Sequence, residues 1–307
     1  MLYVKINFTG ADMLILRKPG DSQPPQVAEV DRANNLASKA CAIALPITGG
    51  VRVYAPQGGK YREFNSPLGS GISVTAGTGG IGIGSSAQNS DAFKLYSADN
   101  AMDTIWEAPS AAATVLVVAQ RFGAAADTAC VFGNESTSSS PYVAWGISDR
   151  TGSGQAAFEF APGGAYNILA VTGWLDANVN VYVGRYNGSA IAAWKNGVKH
   201  TSETACSGTL TYPNSVSRGP SLAGFWTTTT NRAFVGRVYL SALWPVALSE
   251  AEIASISRDP WQLFEPRRII VSAYQPADSI LVPPYLSNPG VSNITTTGAQ
   301  PVVRVEY

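Results

Sequence analysis

Charge is scarce in this chain and histidine almost missing. Only 14% of its 307 residues are Asp, Glu, Lys or Arg, against about 25% in typical soluble proteins. The two signs balance at 21 each, so the formal net charge is zero. Binding along a phosphate backbone needs clustered Lys and Arg, so this balance argues against a nucleic-acid partner. A serine triad needs a histidine base. The single histidine, His200, follows an Asn196-Gly197 turn signal, and no GxSxG occurs, so it reads as an exposed hairpin residue. Cys41, Cys130 and Cys206 are an odd number without a CxxC pair. Structural zinc wants four ligands in close pairs. The three therefore read as unpaired or buried thiols of a protein assembled in a reducing cytoplasm, and no metal or other cofactor is expected.

Long apolar runs are missing too. None approaches the roughly 20 residues needed to span a bilayer, so no membrane insertion is expected. The opening MLYVKINFTGADMLILRK has short apolar stretches broken by charge, unlike the order of a secretory signal. The glycine-rich run Gly77 to Asp91, GTGGIGIGSSAQNSD, is followed by no lysine and no helix pattern. It reads as a flexible β connection and not as a phosphate loop.

What is present is apolar and β-like. Hydrophobic residues make up 45% of the chain, enough for a sizeable core, and low charge with abundant Gly, Thr, Ser and Asn is compatible with packing into a larger assembly. The most informative stretch is Phe234 to Pro266, FVGRVYLSALWPVALSEAEIASISRDPWQLFEP. Alternation puts Phe234, Gly236, Val238, Leu240, Ala242 and Trp244 on one strand face, with Val235, Arg237, Tyr239, Ser241 and Leu243 on the other. Both faces are largely apolar, as in a strand covered on two sides. Ser249 to Glu252 then makes a capping box, with Leu248 and Ile253 at the staple positions. Asp259-Pro260 ends the helix after about two or three turns.

This order resembles the end of laminin-G-like (concanavalin A-like) jelly-roll domains, where a last core strand with a G-R pair precedes "ALS-x-x-E-I". The extension DPWQLFEPRR resembles the form common in bacteriophage and prophage virion proteins. Asp31 to Ala37 and AIALPITGG (Ala42 to Gly50) resemble the opening of the same proteins, and Val179 to Val198 their middle hairpins. The resemblance covers roughly residues 31–270 and implies an all-β LamG-like jelly-roll sandwich with one short C-terminal helix. Strands are expected at Thr114–Ala119, Tyr142–Ile147, Ala156–Phe160, Tyr166–Val171, Val179–Tyr186, Ala190–Lys195 and Phe234–Trp244. Asn187-Gly188 and Asn196-Gly197 predict two-residue type I′ turns and a three-stranded meander. Residues 1–30, with apolar runs at Leu2 to Phe8 and Met13 to Leu16, read as an arm or hairpin, or as extra strands on the sandwich. Residues 271–307 resemble the start of a fibronectin III-like module that stops after a strand or two. A lone strand has unpaired backbone groups, so it should pair with the main domain or with a neighbouring subunit.

Glycosidases of the concanavalin A-like class carry paired carboxylates as E-x-D-x-x-E or E-x-D-x-E, and a retaining pair sits about 5–5.5 Å apart. No such run occurs. Asp91…Asp99 and Asp103…Glu107 read as loop residues, and Glu250…Glu252 as helix caps. The chain is expected not to be an enzyme, and no residue is assigned to catalysis, cofactor or metal. Trp174 in VTGWLDANVN and Trp226 in AGFWTTTTN stand beside turn signals, as sugar-stacking platforms or, in the plainer reading, as rim aromatics closing the core. Asp176 and Asn178 are weak calcium candidates. Trp194 and Trp244 read as core, while Trp261 and Phe264 tuck the closing segment down, leaving Arg267 and Arg268 at a surface or interface. The resemblance implies a phage structural protein of capsid or tail, part of the virion, assembled in the host cytoplasm. Its partners would be other virion proteins and further copies of itself, a homo-oligomer. The alternative is a glycan-binding adhesin of a tail fibre, with host surface glycan as partner; a degenerate glycosidase is the outlying third.

Overall fold

The computed structural model of the chain describes residues 14–17, 23, 28–56, 60–64, 71–87, 92–95, 103–124, 128–136, 141–150, 154–212, 218–224, 232–265, 268–272 and 302–305. Contacts divide it into two compact units, Gly20–Phe264 and a smaller one made of Met1–Pro19 with Glu265–Tyr307.

In chain order the first strands are β1 (Leu14–Arg17), β2 (Ala42–Ile47), β3 (Gly50–Ala55), β4 (Lys60–Phe64), β5 (Ser73–Gly77), β6 (Gly80–Ser85) and β7 (Phe93–Lys94). Next come β8 (Ala113–Arg121), β9 (Ala129–Ser136), β10 (Val143–Arg150), β11 (Gln155–Phe160), β12 (Asn167–Val171), β13 (Asn180–Tyr186) and β14 (Ala190–Lys195). The last are β15 (Val198–Lys199), β16 (Thr204–Ala205), β17 (Arg218–Leu222), β18 (Gly236–Trp244), β19 (Arg268–Ser272) and β20 (Val302–Val305). Helices are α1 (Asn35–Lys39), α2 (Asp103–Trp106) and α3 (Glu250–Arg258), the last followed by a 3₁₀ turn at Pro260–Leu263. Asp103, expected in a loop, therefore opens a short helix.

The larger unit is the expected antiparallel jelly-roll sandwich. One sheet runs β12-β11-β10-β9-β17-β7 and the other β15-β14-β13-β8-β18-β2-β3-β4, with β6 also on β18 and β5 on β6. Between the sheets lie Val115 and Val117 of β8, Trp145, Phe158 and Phe160. On the far face of the larger sheet, Leu116, Val118, Val183, Trp194 and Trp244 are covered by Leu36, Ile253, Ile256, Leu263 and Phe264. The middle of the larger sheet is thus buried on both faces, which is why its strands β2, β8 and β18 are largely apolar on both.

Two local features depart from the simple pattern. The pairing of β18 with β8 slips between Val238 and Leu240, leaving Tyr239 as an extra residue. Phe234 and Val238 consequently face the inter-sheet core, whereas Leu240, Ala242 and Trp244 lie under the helices. The single continuous face read from alternation is broken there. The glycine-rich run is not a loose connection either: through Ser85 it forms the β5–β6 pair, which joins β18. Its glycines are needed because a Cβ at Gly79 or Gly82 would come within 2.9 Å of the Tyr239 ring. Gln23 closes the gap where the neighbour of β18 changes from β6 to β2. Its Nε2 donates to Ile81 O at 2.8 Å and to Pro46 O at 3.4 Å, and its Oε1 accepts from the Ile81 N–H.

The capping box forms as read: the Ser249 N–H donates to Glu252 Oε2 at 2.8 Å and Ser249 Oγ accepts from the Glu252 N–H at 3.3 Å. The meander forms too, but its two turns differ. Asn196 (φ 51°) and Gly197 (φ 80°) make the two-residue turn. At the other, only Gly188 has positive φ, and Asn187 Oδ1 instead accepts from the N–H groups of Ser189 and Ala190 at 3.0 and 2.9 Å. The Asn187 N–H donates to Ala190 O at 3.2 Å, so the turn closes over Gly188 and Ser189 and is stabilised by the Asn187 side chain, a correction to the type I′ expectation.

In the smaller unit β1, β19 and β20 form one antiparallel sheet, with Leu16 opposite Ile269 and Ile269 opposite Val305. The final strand therefore pairs with β19 of its own chain.

Candidate functional site

The turn between β12 and β13 closes one end of the sandwich. Gly173 bends it with φ 74°, and the N–H of Leu175, a buried residue, donates to Gly154 O at 2.9 Å. Between them Trp174 is half-buried against the inter-sheet core. Its ring meets Phe158 edge-on at 5.9 Å and His200 at 5.4 Å. Its carbonyl accepts from the Tyr182 hydroxyl at 2.8 Å and from Lys195 Nζ at 2.7 Å. The rim position is as expected. The partnership with His200 is not, because that residue was read as merely exposed. His200 is half-buried, its Nδ1 accepts from the Ser202 N–H at 3.2 Å, and the meander places it beside the indole. Trp226 lies outside the described residues.

Asp176 is spent within the protein. Oδ2 pairs with Lys195 at 2.6 Å, and Oδ1 accepts from the Asn178 N–H at 2.7 Å and from Asn180 Nδ2 at 2.9 Å. Burial pushes this carboxyl up, but the hydrogen bonds from Lys195, Asn178 and Asn180 outweigh it and hold it below the usual range. The Asp-x-Asn spacing is an Asx turn in which Asn178 supplies a backbone N–H. Among the described residues no group of three His, Cys, Asp or Glu is placed to hold a metal ion.

Two acidic residues missed in the sequence are buried. Asp149 on β10 pairs with Arg121 Nε at 2.8 Å; burial raises its carboxyl, and Arg121 only partly reverses this. Glu159 on β11 is wholly buried, with Oε1 accepting from Ser148 Oγ at 2.7 Å. Burial pushes it up, and Ser148, Tyr166 and Arg150 pull it back only in part. Asp149 stands opposite Ala156 and Ser148 opposite Ala157, so Asp149 shares the face of Phe158, while Glu159 shares the opposite face with Ser148. A sheet lies between the two carboxylates. Asp91 and Asp99 lie outside the described residues.

The remaining aromatics fall as read. Trp194 and Trp244 are buried, Trp194 under Arg185 at 4.7 Å and Trp244 donating from Nε1 to Leu36 O at 2.8 Å. Trp261 packs partly buried on the second core and Phe264 is buried in it. Arg267 and the Arg268 side chain lie outside the described residues. Cys41 and Cys130 are buried and Cys206 half-buried, and none of the three is in a disulfide; burial pushes the Cys41 thiol up to about 12.

No family model matches the sequence, and no curated protein matches it. Solved structures match at low identity. Trypanosoma rangeli sialidase, in complex with a difluoro-nononic acid, has a TM-score of 0.50 at 8% identity, over 78% of this chain and 36% of that protein. The binding domain of Paraclostridial Mosquitocidal Protein 1 gives 0.49 at 12%, over 73% and 52%. The CBM40 of Ruminococcus gnavus IT-sialidase, bound to α2,3 sialyllactose, gives 0.45 at 13%, over 57% and 95%. The chain spans between 27% and 52% of the first three solved structures that it matches. The likeness is one of fold: a β-rich, jelly-roll-like sandwich.

Proposed function

We propose that this chain is a non-catalytic structural protein of a bacteriophage particle, at a capsid or tail surface, attached through its terminal strands. One observation carries the reading. Strand β1 from before the sandwich and β19 and β20 from after it pair in a sheet of their own, in a unit separate from the sandwich. A second, dedicated element built from both termini suits a sandwich that must be held to something else. The resemblance of DPWQLFEPRR and of Asp31 to Gly50 to phage virion proteins supports the same reading. The carboxylates support a non-catalytic one. Asp149 and Glu159 lie on opposite sheet faces, and Asp176, Glu250 and Glu252 are paired with Lys195, Lys199 and Lys39. The test is binding of the purified protein to virus-like particles that lack it. Saturable binding that disappears when residues 1–19 and 265–307 are trimmed is the expected result; equal binding by the trimmed sandwich would remove the attachment role from the termini. Cleavage of polysaccharide by the wild type would restore the glycosidase reading.

A second reading is a glycan-binding adhesin of a tail fibre. Trp174, half-buried at the sandwich rim beside His200, favours it, since a rim indole can stack on a pyranose ring. Binding to host cells that soluble host polysaccharide competes away, and that Trp174→Ala weakens, is what this reading expects.

A further inference from the structure

Among the described edge strands of the sandwich, one lacks protection. The β5–β6 hairpin joins the larger sheet through β6, so β5 lies on its outer side. Gly77 and Gly80 flank the two-residue turn and therefore exchange both of their hydrogen bonds. By alternation Thr75 bonds to Gly82 and Ser73 to Gly84, while Val74 and Ala76 turn their N–H and C=O groups outward. Ile81, opposite Ala76, fixes the phase: its own N–H and C=O point away from β5, where Gln23 takes both. Among the described residues nothing does the same for Val74 and Ala76. Val74 is half-buried, and Thr75 and Ala76 are exposed.

Proteins guard such edges with charge, with very short strands or with a covering group. Strand β4 carries Arg62 and Glu63, and β7, β15 and β16 are 2 residues long. Strand β12 is uncharged, but Thr204 Oγ1 donates to its Ile168 O at 3.0 Å. Strand β5 has none of these. It reads Ser-Val-Thr-Ala-Gly, and no charged residue stands between Glu63 and Asp91. Nor is it loose: Gly79 and Gly82 close over the Tyr239 ring, and Thr78 Oγ1 donates to Gln120 Oε1 at 3.3 Å. An edge held in place without charge or cover is a template for an added strand.

We propose that β5 pairs antiparallel with β5 of a second copy of this chain, about a two-fold axis through Thr75. In this register Val74 of each copy forms a hydrogen-bonded pair with Ala76 of the other, so every outward group on the two strands finds a partner. The larger side chain faces the smaller, and Ser73 meets Gly77. Thr75 meets its own counterpart at the non-hydrogen-bonded position, where side chains approach most closely and a Thr–Thr pair is favourable. This self-complementarity is what selects a second copy as the occupant. Strand β4, centred in the same way, would set Arg62 against Arg62. The pairing uses neither the terminal strands nor Trp174, and copies held close together on one particle would form it at raised effective concentration.

Sedimentation of the full chain over about 1 to 300 μM covers the affinities expected of a small interface. Ala76→Pro removes an outward N–H from each strand, and Thr75→Lys sets two like charges at the axis. The expected result is a reversible monomer–dimer equilibrium that each variant weakens about tenfold or more. Both positions are exposed, so both variants should keep the wild-type Tm; if Ala76→Pro melts lower, Thr75→Lys decides. Thr75→Cys should cross-link copies under mild oxidation, because Cα atoms paired at that position stand about 4.5 Å apart. Ser73→Cys, which carries the same native thiols, should not, since the two introduced cysteines would lie about 14 Å apart along the strands. A wild type that stays monomeric, with Thr75→Cys cross-linking no faster than Ser73→Cys, overturns the pairing. Association that both edge variants leave intact belongs to another surface and overturns it too.

Discussion

At the scale of single residues, burial and pairing shift two carboxyls in opposite directions, and each shift has its own pH window. Glu159 is raised above its ordinary value of 4.5 by desolvation. The folded state therefore holds its proton longer than the unfolded chain. The stability this gives is complete below about 4.5 and is lost as pH rises through the folded value. Glu159→Gln removes the ionisation and keeps the shape. Thermal melts should show the variant gaining on wild type between pH 4 and pH 8; parallel curves would mean that Glu159 is not desolvated. Glu252 behaves in reverse. Lys39 and the Ser249 amide hold it at about 2, so its contribution is present above about 4.5 and is lost as pH falls from there through about 2. Because the pair is a partly exposed surface one, Glu252→Gln should cost at most about 1 kcal/mol at pH 7, and nothing near pH 2. Glu252 was legible as a cap because Ser249 stands three residues away; its pairing with Lys39, 213 residues away, was not. Glu159 was not: its face is set by strand pairing, and a search along the chain for neighbouring acids does not see it.

At the scale of elements, legibility followed the range of the interaction. The strands Ala190–Lys195 and Asn180–Tyr186, the helix and its cap depend on adjacent residues, and the sequence reading placed them to within a residue or so. The slip at Tyr239 was invisible, because a strand apolar on both faces gives no alternation from which a one-residue shift could be noticed. The β5–β6 pair was hidden by its own glycines, which look like a loop until Tyr239 is placed beneath them. The two Asn-Gly turns show the same limit: the dipeptide announces a turn and not its type. Asn196 holds a left-handed φ, accepts from the Val181 N–H at 2.8 Å and donates to Asn180 Oδ1 at 2.8 Å. Asn187 only bonds within its exposed loop. Asn196→Ala should therefore cost about 2 kcal/mol, from a strained backbone and two lost part-buried bonds, and Asn187→Ala about 1 kcal/mol or less. Urea unfolding of the two variants settles the order, and equal midpoints would contradict it.

For the whole molecule, the sandwich was readable and the arrangement of its ends was not. Residues 1–30 and 271–307 looked like separate appendages because each has too few strands to form a sheet. The structure solves the problem by pairing a strand of each with one shared strand: β1 and β20 flank β19, although β1 and β20 lie far apart along the chain. No periodicity within either segment reports a pairing across that separation. The described members of both hydrophobic cores lie between Ala28 and Phe264, within the larger unit. A fragment of residues 20–265 should accordingly fold by itself, with one cooperative transition and a Tm within about 4 °C of the full chain, the shift expected for a stability change of about 1 kcal/mol or less in a domain of this size. Removing residues 1–19 alone should leave that transition in place and strip one neighbour from β19, seen as faster hydrogen exchange at residues 268–272. A fragment that melts far lower, or without cooperativity, would mean that the terminal sheet stabilises the sandwich. The loss of particle binding on trimming would then report unfolding and not a missing attachment element.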